Sequence, residues 1–146
     1  MSLRNDIIKE IERTLTEIEE PRINFITREQ IEIDKIAITQ FPAAVVILRQ
    51  EDRSTVTLGA PGVGRRQGTI RIDIRAYVRG SELDQRRNEM LEAIEEQLEL
   101  DRYLGLKAQG VMDSQITKIE IVDRLAPLAE LLIELEVRYN YLRGTA

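Results

Sequence analysis

The sequence predicts an α+β fold, one mostly antiparallel sheet of about five strands with two amphipathic helices packed on it. Three stretches carry that expectation. From Thr69 to Arg79 the side chains alternate strictly. Ile70, Ile72, Ile74, Ala76 and Val78 face one way, and Thr69, Arg71, Asp73, Arg75, Tyr77 and Arg79 the other, as in a half-buried strand. At Ser81 the period changes, and Leu83, Met90, Leu91, Ile94 and Leu98 recur on one helical stripe. Near the C-terminus Leu131, Ile133, Leu135, Val137, Tyr139 and Tyr141 alternate against Glu130, Glu134, Glu136, Arg138 and Asn140, broken only by Leu132. That regularity outweighs the good helix formers from Ala129 onward, because helix propensity is a weak prior.

The other elements follow in chain order. Ser2 is placed to cap a helix whose Leu3, Ile7, Ile8, Ile11, Leu15 and Ile18 share one stripe. Glu19-Glu20-Pro21 is expected to end it, since proline cannot continue a helix. Ile31/Ile33 and Ile36/Ile38 each alternate but change register at Asp34-Lys35, which predicts two short strands separated by a bulge or break. Ala43 to Leu48 is an apolar run of strand length, expected to be covered on both faces. Ser81 and Asp84 have capping-box spacing for the second helix, and Gly105 is its stop signal. Leu106 to Asp113 reads as a connector broken at Gly110. Ile116 to Val122 reads as a short strand with Ile119 and Ile121 alternating, and Asp123 to Pro127 as a turn.

Residues 50–68 read as a long Gly-rich loop within a single domain spanning all 146 residues. A phosphate-binding reading of Gly59-Ala60-Pro61-Gly62-Val63-Gly64 fails. No Lys-Ser/Thr follows Gly64, and a strand follows where that motif needs a helix N-terminus. The loop is expected to be a hairpin tip between two strands, or an arm that orders against a neighbouring subunit.

Composition narrows the function classes. Apolar residues make up 42% and charged residues 32%, a globular mixture without the long apolar run of a membrane span. The first residues lack a signal-peptide core, which predicts no export. There is no cysteine and no histidine, so disulfides, thiolate or imidazole metal sites and Cys–His or Ser–His nucleophile pairs are excluded. Tryptophan is absent and aromatics are 4%, against a base-stacking surface. The net charge of −5 disfavours duplex DNA as a tightly held ligand. That charge is unevenly spread. Arg65 to Arg87 holds seven arginines against three acids, whereas Glu82 to Asp101 holds eight acids against two arginines.

No reaction can be assembled from the remaining groups. Glu32-x-Asp34-Lys35 has the wrong spacing for a nuclease metal site, and Asp73-x-Arg75 lacks the lysine. Glu92, Glu95, Glu96 and Glu99 have helical spacing, but a bundle metal centre also wants histidine. The prediction is no catalytic residue, no cofactor and no metal. Arg71, Arg75 and Arg79, on one strand face with Tyr77, read either as a solvated face or as a subunit interface pairing with acids of an adjacent protomer, for which the planar guanidinium fork is suited. Gly62, Gly64, Arg65 and Arg66 of the loop join them as candidate interface residues.

Four features in sequence order carry a family resemblance. They are the helix from Leu3 to Ile18, the strand Phe41-Pro42-Ala43-Ala44-Val45-Val46-Ile47, the strand–helix unit from Arg66 to Leu104 with its Leu-Asp-x-x-Leu-Gly ending, and the closing strand ending Val137-Arg138-Tyr139-Asn140-Tyr141. In this the chain resembles the tail terminator (tail completion) proteins of long-tailed bacteriophages. The resemblance implies a structural virion protein, not an enzyme, assembled in the host cytoplasm and resident in the tail or neck. It would form a homo-oligomeric ring, a hexamer in that family, on the tail tube protein, end tube polymerisation and meet the head–tail neck or connector proteins. DNA would be only a passing contact, and no membrane is implied. No site residue transfers from the family. Another ring-forming neck, head-completion or baseplate protein, and an unrelated small binding module or enzyme, remain as alternatives.

Overall fold

The computed structural model describes residues 3–55 and 65–142. Among them, helix α1 (Leu3–Thr16) precedes strands β1 (Phe25–Thr27), β2 (Ala43–Thr55) and β3 (Arg65–Arg79); helix α2 (Leu83–Glu99) precedes β4 (Val111–Val122) and β5 (Leu128–Leu142). The five strands form one sheet in the order β1-β2-β3-β5-β4. Only the short β1–β2 pair is parallel; the other three pairings are antiparallel. The α+β architecture expected from the sequence is therefore the one observed.

The faces follow from alternation. Ile70, Ile72, Ile74, Ala76 and Val78 of β3 lie opposite Val137, Leu135, Ile133, Leu131 and Ala129 of β5. This surface meets Ile7, Ile11 and Leu15 of α1 and Met90, Ile94 and Leu98 of α2 in one core. Full burial of each such side chain contributes about 1.5–3 kcal/mol before conformational entropy is charged. The opposite face is covered at its β1 side by a second cluster in which Ile33, Ile36 and Phe41 pack on Ala43, Val45 and Tyr77. Ala43 to Val46 is thus buried on both faces, as expected, whereas Leu48 is exposed.

Several local expectations are corrected. Helix α1 stops at Thr16, short of Pro21. The hydroxyls of Thr14 and Thr16 bond back to the carbonyls of Glu10 (2.6 Å) and Glu12 (2.8 Å), a competition with the helical ladder that weakens its last turn. The isoleucines between 31 and 38 form no strands. Ile33–Lys35 and Ile38–Gln40 are single 3-10 turns, and Ile33 and Ile36, three residues apart, face the sheet together as a three-residue turn allows. The Ser81/Asp84 capping box is absent. Gly80 and Glu82 both take positive φ (132° and 52°), Glu82 occupies the cap without a side-chain bond, and Asp84 pairs with Arg87. Helix α2 ends at Glu99, before Gly105. The carboxylate of Asp101 then accepts the N–H groups of Tyr103 (2.9 Å) and Gly105 (2.8 Å) and closes the turn.

The loop assigned to residues 50–68 is also shorter than expected, since 50–55 belong to β2 and 65–68 to β3. Its tip, with Gly62 and Gly64, lies outside the described residues. Strand β4 begins at Val111 rather than Ile116; bulges at Met112 and Thr117 interrupt its alternation and hid its first half. In β3, Gly68 lies directly opposite Tyr139, whose buried ring occupies the space a Cβ would need. Gly68→Ala should therefore destabilise the protein by about 1–3 kcal/mol through overpacking. Denaturant unfolding checks this, and an unchanged midpoint would show that the ring relocates freely.

Candidate functional site

The polar face of the sheet is an ordered set of ion pairs. Its centre is set by a bulge in β2, where the pairing jumps from Leu48↔Ile72 to Gln50↔Arg71 and leaves Arg49 extra. Arg49 lies between two acids that the β3–β5 register places directly opposite each other, Asp73 and Glu134. It bonds Glu134 at 2.8 Å and approaches Asp73 at 3.8 Å. Asp73 is buried, and its Oδ1 has no hydrogen-bond partner. Burial raises its pKa above the ordinary carboxylate range, although Arg49 pulls the other way. Beside it, Arg71 reaches Asp52 (3.5 Å) and Glu136 (3.8 Å).

Further along the same face, Glu130 is 0% exposed and held by Arg75 and Arg124, each at 2.8 Å. Two charge-assisted bonds on separate carboxylate oxygens satisfy a carboxylate that is wholly removed from solvent. The Arg124 guanidinium is held charged by the same bonds. Burial, reinforced by the Glu130 charge, pushes the Tyr77 hydroxyl up. Arg75, Tyr77 and Arg124 line a cleft of about 640 Å³ together with Glu32 and Asp34. Its walls carry both signs of charge, and its arginines are already engaged by Glu130.

The sequence-selected residues do not converge. Arg71 and Arg75 have partners within the chain. Arg79 lies eight positions from Arg71, about 27 Å along the strand; its backbone pairs with Leu128, and its side chain makes no ion pair or hydrogen bond among the described residues. Arg66 stands opposite Tyr141 near the other end of β3, on the helix-facing side by parity. Arg65 is backbone-paired with Leu142, its side chain lying outside the described residues together with Gly62 and Gly64. No group of three acids among the described residues is placed to hold a metal ion, and no described helix is long and apolar enough to cross a membrane.

Two features escaped the sequence reading. The first is a latch on the helix-facing side. Because the β2 bulge reverses side-chain parity, Glu51 points toward α1. It accepts two bonds from Arg4, one from Arg53 (2.8 Å) and one from the Tyr139 hydroxyl (2.8 Å). Burial opposes its ionisation, but the bonds from Arg4, Tyr139 and Arg53 prevail and hold its pKa below the ordinary range. Burial and the bond to Glu51 push Tyr139 up to about 12. Only the bulge makes Glu51 interior, and nothing in the sequence announces that bulge.

The second feature is the pair of unlike sheet edges. On β4, Ile119 and Ile121 lie opposite Ile133 and Leu131 on the helix-facing side, yet they are 41% and 44% exposed because neither helix reaches that edge. Beyond them Leu125 is 90% exposed in the turn to β5. Toward the other edge, Pro21, Phe41, Pro42 and Val78 line an apolar cleft of about 360 Å³ with Arg79, Arg86 and Glu89 beside them and Ile38, 68% exposed, also in its lining.

The electrostatics predict opposite responses for two acids. Glu51, with its depressed pKa, contributes stability that is full above the ordinary carboxylate range and lost as pH falls through its folded value. Asp73, with its raised pKa, carries a penalty when ionised that is relieved as pH falls through its folded value. Glu51→Gln should thus cost about 1–3 kcal/mol at neutral pH, while Asp73→Asn should leave stability unchanged or raised. Both differences should shrink on acidification, and a markedly less stable Asp73→Asn protein would contradict the assignment. At Glu130, whose arginines reach solvent while it does not, the double variant Arg75→Ala/Arg124→Ala should lose more stability than Glu130→Gln. Chemical denaturation ranks them, and the reverse order would refute the clamp.

Comparison with models of known protein families and with curated protein sequences finds no match to this chain.

Proposed function

We propose that the chain is a structural component of a long-tailed bacteriophage, a tail terminator whose ring caps the tail tube, ends its polymerisation and joins the tail to the neck. The resemblance in element order supports this reading, and the expected partners are further copies of the chain, the tail tube protein and the neck proteins. The observation that carries it is the pair of sheet edges. Large aliphatic side chains are exposed at Ile119, Ile121 and Leu125 on one edge and at Ile38 toward the other. Single exposed leucines are ordinary, but concentrated aliphatic surface favours association. Because the two edges differ, self-contact would be heterologous, and heterologous contacts give rings when their rotation closes. The internal pairing of Arg71 and Arg75 shifts the assembly role toward Arg79 and the edges.

Light scattering over a concentration series, with negative-stain images of the largest species, tests this. The expected outcome is a concentration-dependent ring of about six copies that binds purified tail tube protein. Rings that bind only neck, head-completion or baseplate protein would move the chain to another ring-forming part of the virion. A monomer at every concentration that also ignores the tube would leave an unrelated soluble module as the reading.

A further inference from the structure

We infer that the polar-face cleft lined by Glu32, Asp34, Arg75, Tyr77 and Arg124 binds a small zwitterion of the amino-acid class. Its ammonium lies on the Glu32 and Asp34 wall and its carboxylate on the two arginines and the Tyr77 hydroxyl. The inference does not rest on the ring reading, and its test needs no partner protein.

The charges are sorted by wall. The chain between β1 and β2 brings Glu32 and Asp34 to the cleft, β3 brings Arg75 and Tyr77, and the turn after β4 brings Arg124. Neither Glu32 nor Asp34 makes a side-chain ion pair or hydrogen bond among the described residues. The bonds to Glu130 chiefly hold the Arg124 guanidinium charged, and the Asp34 carboxylate adds to this from a distance. Opposite charges thus line one cleft without meeting, and a ligand carrying both signs bridges them.

The basic side has capacity to spare. Glu130 is reached by Nη1 of Arg75 and by Nε and Nη2 of Arg124, which leaves most N–H groups of the two forks without a partner among the described residues. Two guanidinium charges answer one carboxylate. A second carboxylate therefore adds charge-assisted bonds without displacing the first. Tyr77 supplies a further donor. It is 4% exposed, its ring packs in the cluster of Ile33, Ile36 and Phe41, and its hydroxyl opens to the cleft with no hydrogen-bond partner among the described residues. Burial and the Glu130 charge raise its pKa, so it keeps the proton it donates. An unpaired polar group in so buried a residue carries a cost that a ligand carboxylate removes.

The cleft, about 640 Å³, falls within the span of about 300–1,000 Å³ usual for small-molecule sites. Ile31, Ile33 and Val45 also line it and give the methylene groups between the charged ends an apolar surface. Ligands with one charge fit half of it. A lone cation meets the excess positive charge of the arginines, and a lone anion meets Glu32 and Asp34.

Isothermal titration calorimetry of the purified chain with unbranched ω-amino acids, from glycine to aminohexanoate, tests this, since each methylene widens the separation of the two charges. One member should bind with a dissociation constant of about 1 mM or tighter, and propylamine and butyrate roughly tenfold more weakly or not at all. Glu32→Gln/Asp34→Asn, at exposed positions, should weaken that member roughly tenfold, to the level of butyrate. Tyr77→Phe, which keeps the ring, should weaken it about threefold to tenfold. Thermal unfolding checks that both variants keep the fold. No saturable binding by any member at millimolar concentration would overturn the inference. Binding that survives either folded variant would overturn the assigned cleft, and a control that binds as tightly as the best zwitterion would overturn the bridging of its walls.

Discussion

The fifteen-residue antiparallel ladder between β3 and β5 decides what every other element can do. Its register places five aliphatic pairs on one face, from Ile70↔Val137 to Val78↔Ala129, and puts Arg71↔Glu136, Asp73↔Glu134 and Tyr77↔Glu130 on the other. A slip of one residue would turn the charged set into the helix-packed core. Burying those charges without their present partners costs several kcal/mol each, so the register is protected from both sides. The helices add an apolar cover. Each presents the stripe that the sheet demands, and the chain between β1 and β2 supplies a smaller cover for the opposite face.

Within that frame the bulge at Arg49 has consequences on both faces. It supplies a cation on the polar face at the one place where the ladder sets two acids against each other. It also reverses parity, so that Glu51 turns inward to meet Arg4 of α1 and Tyr139 of β5. The latch ties the first helix to the β2–β3 hairpin at the level of Ile70. The buried ring of Tyr139 over Gly68 continues that tie across the sheet, an aromatic side chain covering a glycine that has none of its own.

Regular alternation and helical stripes were legible in the sequence because each residue's environment there is set by its immediate period. Strands β3 and β5 and the apolar faces of both helices could be read directly. Features that depend on a distant neighbour could not. Residues 50–55 are polar at every position, yet they form a strand because β3 extends alongside them. Ile33 and Ile36 resemble strand residues until Val45 and Tyr77 give them a surface to cover. The charge pattern misled most. Seven arginines between 65 and 87 suggest a face awaiting acids from elsewhere, but alternation on β5 had already placed Glu130, Glu134 and Glu136 opposite that face.

The internal use of charge also bears on where assembly can act. A face whose ions are satisfied within the chain gains little by offering them to a partner, since each new pair would break an existing one and desolvate both sides. Groups without internal partners bear no such cost. Among the described residues the margins hold an aliphatic edge on β4, an exposed leucine in the following turn, and an apolar cleft at the end of β3 with Arg79 beside it. The same ladder commits the central charges to stability and leaves the apolar cleft and the β4–β5 turn side by side at one end, where the Gly80 N–H bonds the Pro127 carbonyl. Specificity for a like partner then resides in the turns and edges, where the sheet stops, rather than in the basic strand.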